Sequence, residues 1–249
     1  LYANMDTTGL ALNGVANVYA ISGYFANRFV NETLRNQPGG LSNTNTTDAP
    51  IMKLNEVLMN DIEACAELAS LGKYSLTQAD FDRTINILRD RPSTHMPHVT
   101  LLGSDLAVNG TIINDPDRDQ TVSPILWEIR RERRVELVYE GIRFNDLRRW
   151  GKLDYADMQK NPDINLGAWV DKDRYVSWYN SKHKDKPISL ETLNSVHLDR
   201  DGNAGYIKPI RDASLMRTVL DKDYLYPIPT DELTLYQQHN KTLTQNTGW

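Results

Sequence analysis

The chain has 249 residues, a formal net charge of −5 and 40% hydrophobic residues, enough apolar content to bury one large core or two modest ones. The acidic balance argues against nucleic acid as a partner. No apolar run reaches the roughly 18 residues of a membrane span, because the best candidate, between Leu10 and Val30, is broken by Asn13, Asn17, Ser22, Asn27 and Arg28.

Residues 1–50 are rich in Asn, Thr and Gly and read as irregular, with a strand around Ala26 to Val30. A helix follows. Ile51, Leu54, Leu58, Ile62, Cys65 and Ala69 recur at three- and four-residue spacing, and Gly72 supplies a left-handed stop. Cys65 is the single cysteine, which excludes an internal disulfide, and its place in that stripe reads as a buried small residue. A second helix opens at Thr77, with Asp80 as the acid of a capping box, and carries Phe81, Ile85 and Leu88 until Pro92 forbids continuation. The short link from Lys73 to Leu76 makes residues 51–92 an antiparallel helical hairpin, similar to one tetratricopeptide-like unit. Such a unit needs neighbours to cover its remaining apolar face.

Ser93 to Ser123 contains Pro97, Gly103, Gly110 and Pro116 and reads as loop. Trp127 to Gly151, WEIRRERRVELVYEGIRFNDLRRWG, then puts seven arginines and five carboxylates into one mostly helical segment. Glu128, Glu132, Glu136 and Glu140 recur every four residues along one ridge. Glu128 with Arg131 and Arg133 with Glu136 fall at i,i+3 spacing, and the break at Gly141 lets Arg143, Arg148 and Arg149 fold back on a second short helix. So many acids are poorly suited to gripping phosphate, and an ion-pair lattice fixing two helices accounts for the pattern, with Arg134 and Glu136 as buried partners.

Between Asp154 and Asp223, Trp169, Tyr175, Trp178 and Tyr179 cluster among Asp171, Lys172, Asp173 and Arg174, in what reads as a polar loop. Two readings stand. The C–H face of a pyranose can cover an aromatic ring while neighbouring polar groups bond its hydroxyls, which makes Trp169, Tyr175 and Trp178 candidate glycan-binding residues. Alternatively the rings anchor a long insertion onto the helices. Tyr19 and Tyr24 form a second candidate pair, with core packing again the competing reading. Thr230 reads as the cap of a short helix carrying Glu232, Leu233 and Leu235, after Pro227 and Pro229. The whole pattern predicts a mainly α fold with a few small strands.

No metal, cofactor or catalytic residue is assigned. Asp199, Asp201 and Asn203 alternate like the opening of a calcium loop, but Ala204 and Ile210 stand where glycine and glutamate belong. Pro116 interrupts Asp115, Asp117 and Asp119, and His95 and His98 flank Pro97 without a third ligand at metal spacing. Nucleophile-elbow, zinc-protease, phosphate-loop and dinucleotide patterns are all missing. A carboxylate pair for glycoside hydrolysis is a matter of spatial separation, so a helical glycan-processing enzyme stays open as an alternative, as does a helical-repeat interaction scaffold.

The segment ERRVELVYEGIRFNDLRRWG, Glu132 to Gly151, resembles the signature of the SusD/RagB family of outer-membrane nutrient-binding lipoproteins. Tyr224-Leu225-Tyr226-Pro227-Ile228-Pro229, followed by Thr244-Gln245-Asn246-Thr247-Gly248-Trp249, resembles that family's closing pattern. Ala49 to Val57 is similar to its P-I-x-R-x-A-E-V helix start, with Lys53 for the usual Arg and Asn55 for the usual Ala. The resemblance covers about residues 20 to 249. It implies a SusD-like fold in which the hairpin packs with a loop-rich C-terminal region over 93–249. It also implies a non-enzymatic, cell-surface lipoprotein of the outer membrane that captures oligosaccharides for a TonB-dependent, SusC-like transporter. Family members are about twice this long, so an N-terminal part with the export signal and acylated cysteine is expected to be absent here. Membrane contact would come only through that lipid anchor. The family also takes binding aromatics from loops ahead of the Pro50 helix, where Tyr19 and Tyr24 lie.

Overall fold

In the computed structural model the described residues are 22–24 and 50–249, so the expected strand at Ala26 to Val30 and the candidate Tyr19 lie outside them. The described residues are mainly α, with seven α-helices and five short strands. Residues 50–145 form one compact unit, and 22–24 with 146–249 form another.

The first unit contains α1 (Leu54–Ser70), α2 (Gln78–Asp82), α3 (Ile85–Arg89), β1 (Val99–Leu102), β2 (Asp105–Val108), β3 (Thr111–Ile112) and α4 (Pro124–Glu136). Its core gathers Met59, Ile62 and Ala66 from α1, Phe81, Ile85 and Leu88 from the next two helices, Val99 and Leu106 from the sheet, and Leu126 and Ile129 from α4. The inward side of α1 differs from the expected stripe. Asn55, Met59, Ile62, Glu63 and Ala66 are buried, while Ile51 and Leu54 are exposed. The helix carries apolar residues on two sides, and counting them alone overlooks that the buried side includes two polar groups with partners on α4. Asn55 donates to the Glu136 carboxylate at 3.2 Å, and Glu63 pairs with Arg133. Cys65 is buried, and that burial pushes its thiol pKa up, with the Asp61 carboxylate adding to the effect.

The expected second helix is two helices. Thr77 opens α2 as predicted, with the Asp80 carboxylate accepting from its N–H at 2.7 Å and its hydroxyl at 2.9 Å. The break falls at Thr84, whose hydroxyl donates back to the Asp80 carbonyl at 2.5 Å and whose backbone leaves the helical region at φ −128°, ψ −93°. Residues 93–123, expected to be loop, contain an antiparallel meander in the order β1-β2-β3. Two-residue turns set its register, pairing Leu102 with Asp105 and Val108 with Thr111. Asn109 and Gly110 sit at φ 52° and 77°, the left-handed pair that a type I′ hairpin turn requires. An Asn-Gly between alternating apolar residues was the legible signal.

Ser123 caps α4 by accepting from the Leu126 N–H at 3.4 Å, and Pro124 fills the first helical position. The glutamate ridge draws partners from α1, α3 and their flanks. Arg89 holds Glu132 through two bonds of 3.0 and 2.8 Å, Arg91 holds Glu136 through two of 2.7 Å, and Lys53 pairs with Glu140 at 2.7 Å. Glu128 pairs with Arg131 as its spacing predicts. Arg133 reaches across to Asn60 at 2.7 Å and to Glu63. Arg134, expected to be buried, is exposed, one position off the inward face.

Gly141, at φ 76°, ends the linker after α4, and α5 (Arg143–Arg149) follows, with the division between the units inside it. The second unit continues with a 3-10 turn (Leu153–Ala156), β4 (Trp169–Asp171), α6 (Lys172–Lys182), β5 (Ala204–Tyr206) and α7 (Thr230–Gln238). One of its apolar clusters joins Val170, Leu193, Val196 and Ile207, and another joins Leu147, Leu153 and Ala156. Thr230 is the first residue of α7 rather than its cap, because the fixed φ of Pro229 takes the capping position. Among the described residues no helix is long and apolar enough to cross a membrane.

Candidate glycan platform

β4 and β5 pair antiparallel in the register Trp169 to Tyr206, Val170 to Gly205 and Asp171 to Ala204. Strand alternation turns Val170 into the apolar cluster and leaves Trp169 on the open face. Trp169 is 50% exposed and Tyr206 41%, with centroids 5.1 Å apart and rings at 80°, an edge-to-face pair. The Arg200 guanidinium lies over the Trp169 ring at 5.2 Å. Asp199 fixes that guanidinium through bonds of 3.1 and 2.7 Å and also accepts the Tyr206 backbone N–H at 2.8 Å. These bonds, those from Arg200 foremost, hold the Asp199 pKa below its ordinary value. The platform therefore has two exposed rings on a paired backbone and a polar flank locked by charge.

Behind Trp169 the chain admits no side chain at Gly167. A Cβ there would stand 2.1 Å from the Ser22 carbonyl oxygen, which accepts the Ala168 N–H at 2.8 Å. That bond ties the segment carrying Tyr24, itself 47% exposed, beside the start of β4. No comparable statement applies to Tyr19, which lies outside the described residues.

Tyr175, Trp178 and Tyr179, expected in a polar loop, sit on α6, where Asp171 caps the first turn by accepting the Arg174 N–H at 2.9 Å. Their i, i+3, i+4 spacing was a helix signal passed over for the surrounding charge. Tyr179 is buried and stacks on His183 at 4.1 Å, Tyr175 packs against the Val170 cluster, and Trp178 is 44% exposed with Tyr175 at 5.9 Å. The expected cluster thus divides in two, and among the described residues no ring contact joins Trp169 to Trp178. Tyr206 was missed, since nothing in its Ala-Gly-Tyr strand announces Trp169 as its partner.

The alternating acids are engaged locally. Asp199 serves Arg200 and Tyr206, Asn203 donates to Asp173 at 3.1 Å, and Asp115 accepts the Trp127 indole N–H at 2.8 Å. His98 bonds Asp90 at 2.6 Å. Among the described residues no three His, Cys, Asp or Glu side chains converge as a metal site.

No curated protein and no solved structure matches the chain. The family model of the SusD family does match, over residues 7–249, nearly the whole length and including all three stretches whose residues resemble that family's motifs. The chain belongs to the SusD family.

Proposed function

We propose that this chain captures oligosaccharides at the outer-membrane surface, as part of a lipid-anchored protein, and passes them unaltered to a TonB-dependent, SusC-like transporter. Membership of the SusD family supports glycan binding in nutrient uptake. The helical hairpin of residues 51–92 is, in this reading, one tetratricopeptide-like unit of the scaffold. The observation that carries the proposal is the exposed Trp169–Tyr206 pair with its locked Arg200–Asp199 flank. An open aromatic face offers a sugar ring modest affinity and ready release, which suits delivery better than retention. Trp178 is a second point of contact, with Tyr175 supporting it from behind.

The test is calorimetric titration with neutral and acidic oligosaccharides of plant, host and microbial type, repeated with Trp169→Ala and Trp178→Ala. Removing Trp169 should weaken binding by about 1–3 kcal/mol, the scale of losing a large aromatic anchor. Unchanged affinity in a folded Trp169→Ala protein would assign that ring to packing. Release of shortened sugars during the titration would favour the glycan-processing alternative.

A further inference from the structure

A groove of about 400 Å³ opens beside the platform, lined by Lys172, His197, Lys208 and Arg211, with Arg200 and Asp201 at its rim. Backbone pairing fixes its walls. The Lys208 N–H donates to the His197 carbonyl at 2.8 Å, next to the Leu198–Ile207 bridge, and the Lys172 N–H donates to the Asn203 carbonyl at 2.8 Å. Its charge is unbalanced. Asp199 already neutralises Arg200, so Lys172, Lys208 and Arg211 face Asp201 alone. Among the described residues the side chains of those three cations make neither an ion pair nor a hydrogen bond. Lys172, His197 and Lys208 are half-buried. Burial pulls the His197 pKa down, and the nearby charges of Arg211 and Lys172 lower it further, so both cations act on the same small volume.

Three cations against a single acid around a concave site, in a chain of net charge −5, form a receptor for a compact anion. The volume falls within the range of small-ligand sites and suits a single sugar ring. Arg200 both lines the groove and lies over Trp169, which makes platform and groove neighbours. We propose that the groove is a subsite for the carboxylate or sulfate of an acidic sugar whose neighbouring unit rests on Trp169. This deepens the glycan-capture reading and rests on it for the sugar.

The experiment has two arms on the full chain. In the first, sodium sulfate and free galacturonate are titrated while the His197 ring protons are followed by NMR, in the native chain and in Lys208→Gln/Arg211→Gln. A saturable shift, suppressed by sodium chloride and lost in the double variant with its circular dichroism unchanged, is expected. No saturable shift overturns the groove as an anion site. In the second, galacturonate, glucuronate-bearing and sulfated galactose oligosaccharides are compared with neutral chains of equal length. An acid preference of about tenfold, the scale of a charge-assisted contact, should fall to near parity in the double variant. The order among the acids separates carboxylate from sulfate. Neutral glycans bound through Trp169 without acid preference would overturn the groove and leave the capture reading intact. A His197 shift with no oligosaccharide bound would overturn the sugar assignment together with the capture reading.

Discussion

Asp80 is 1% exposed and still holds its charge, because every side of its carboxylate meets a donor. Burial pulls its pKa upward, but the Thr77 N–H, the Tyr74 and Thr77 hydroxyls and the Arg83 guanidinium outweigh that and hold it below the ordinary value. A carboxylate with a depressed folded pKa stabilises the fold above its unfolded value, about 4, and loses that contribution as pH falls through the folded one. Asp80→Asn should therefore cost about 1–2 kcal/mol at neutral pH, the scale of a lost helix cap, and the gap from the native chain should be smaller at about pH 3, below the unfolded carboxylate value, than at about pH 7. Urea denaturation at both pH values measures it, and a gap of constant size would refute the assignment. The capping box was legible from Thr77 and Asp80 alone. Tyr74 and Arg83 were not, because their bonds to Asp80 depend on how the chain turns before and after the cap.

At the scale of elements, α4 is held by charges whose partners lie on α1 and α3, far away in sequence. Its four-residue glutamate period announces a ridge but does not say which arginines answer it. Arg89 and Arg91 precede the ridge by more than forty residues. The same gap explains the choice of Arg134 over Arg133, since a run of paired arginines leaves the inward position undetermined until the neighbouring helix is placed. Arg89 is 4% exposed and grips Glu132 and the Pro97 carbonyl together. Arg89→Ala should cost about 2–4 kcal/mol, towards the lower end of the loss expected when one partner of a buried ion pair is removed because Glu132 is only partly buried, whereas Arg134→Ala should stay within about 0.5 kcal/mol. Paired chemical denaturation curves decide it, and equal losses for the two variants would overturn the lattice. The meander and α6 carried local signals, Asn109-Gly110 in one and the Tyr175-Trp178-Tyr179 spacing in the other. The groove carried none, because Lys172, His197, Lys208 and Arg211 come from separate segments without a spacing rule.

At the scale of the whole chain, the end of the first motif that resembles the SusD family and that family's closing pattern lie far apart in sequence but share one hydrogen-bonded framework within the second unit. Arg148, from the first motif, donates to the Asp223 carbonyl and the Tyr226 hydroxyl and covers the Tyr226 ring at 4.2 Å. The Tyr224 hydroxyl accepts the Leu153 N–H at 3.0 Å. The closing residues then lock the same segment, with Asn246 donating to the Tyr226 carbonyl at 2.7 Å and the Trp249 indole to the carbonyls of Lys222 and Leu225. Gln245 supplies the central bond. Pro227 and Pro229 have no N–H, which leaves Ile228 to offer both a donor and an acceptor, and the Gln245 amide meets them at 2.7 and 2.9 Å like a strand of one residue. That pairing explains why a Y-L-x-P-I-P run and a terminal Q-N occur together, which their separation along the chain conceals. Between the two prolines only Ile228 has an exchangeable amide, so hydrogen exchange reads this bond without interference. In Gln245→Ala the Ile228 amide should exchange at least about tenfold faster, as expected when a local opening loses its closing hydrogen bond, while amides of α4 keep their protection. Unchanged exchange at Ile228 would show that Arg148, Asn246 and Trp249 hold the segment without the Gln245 bond.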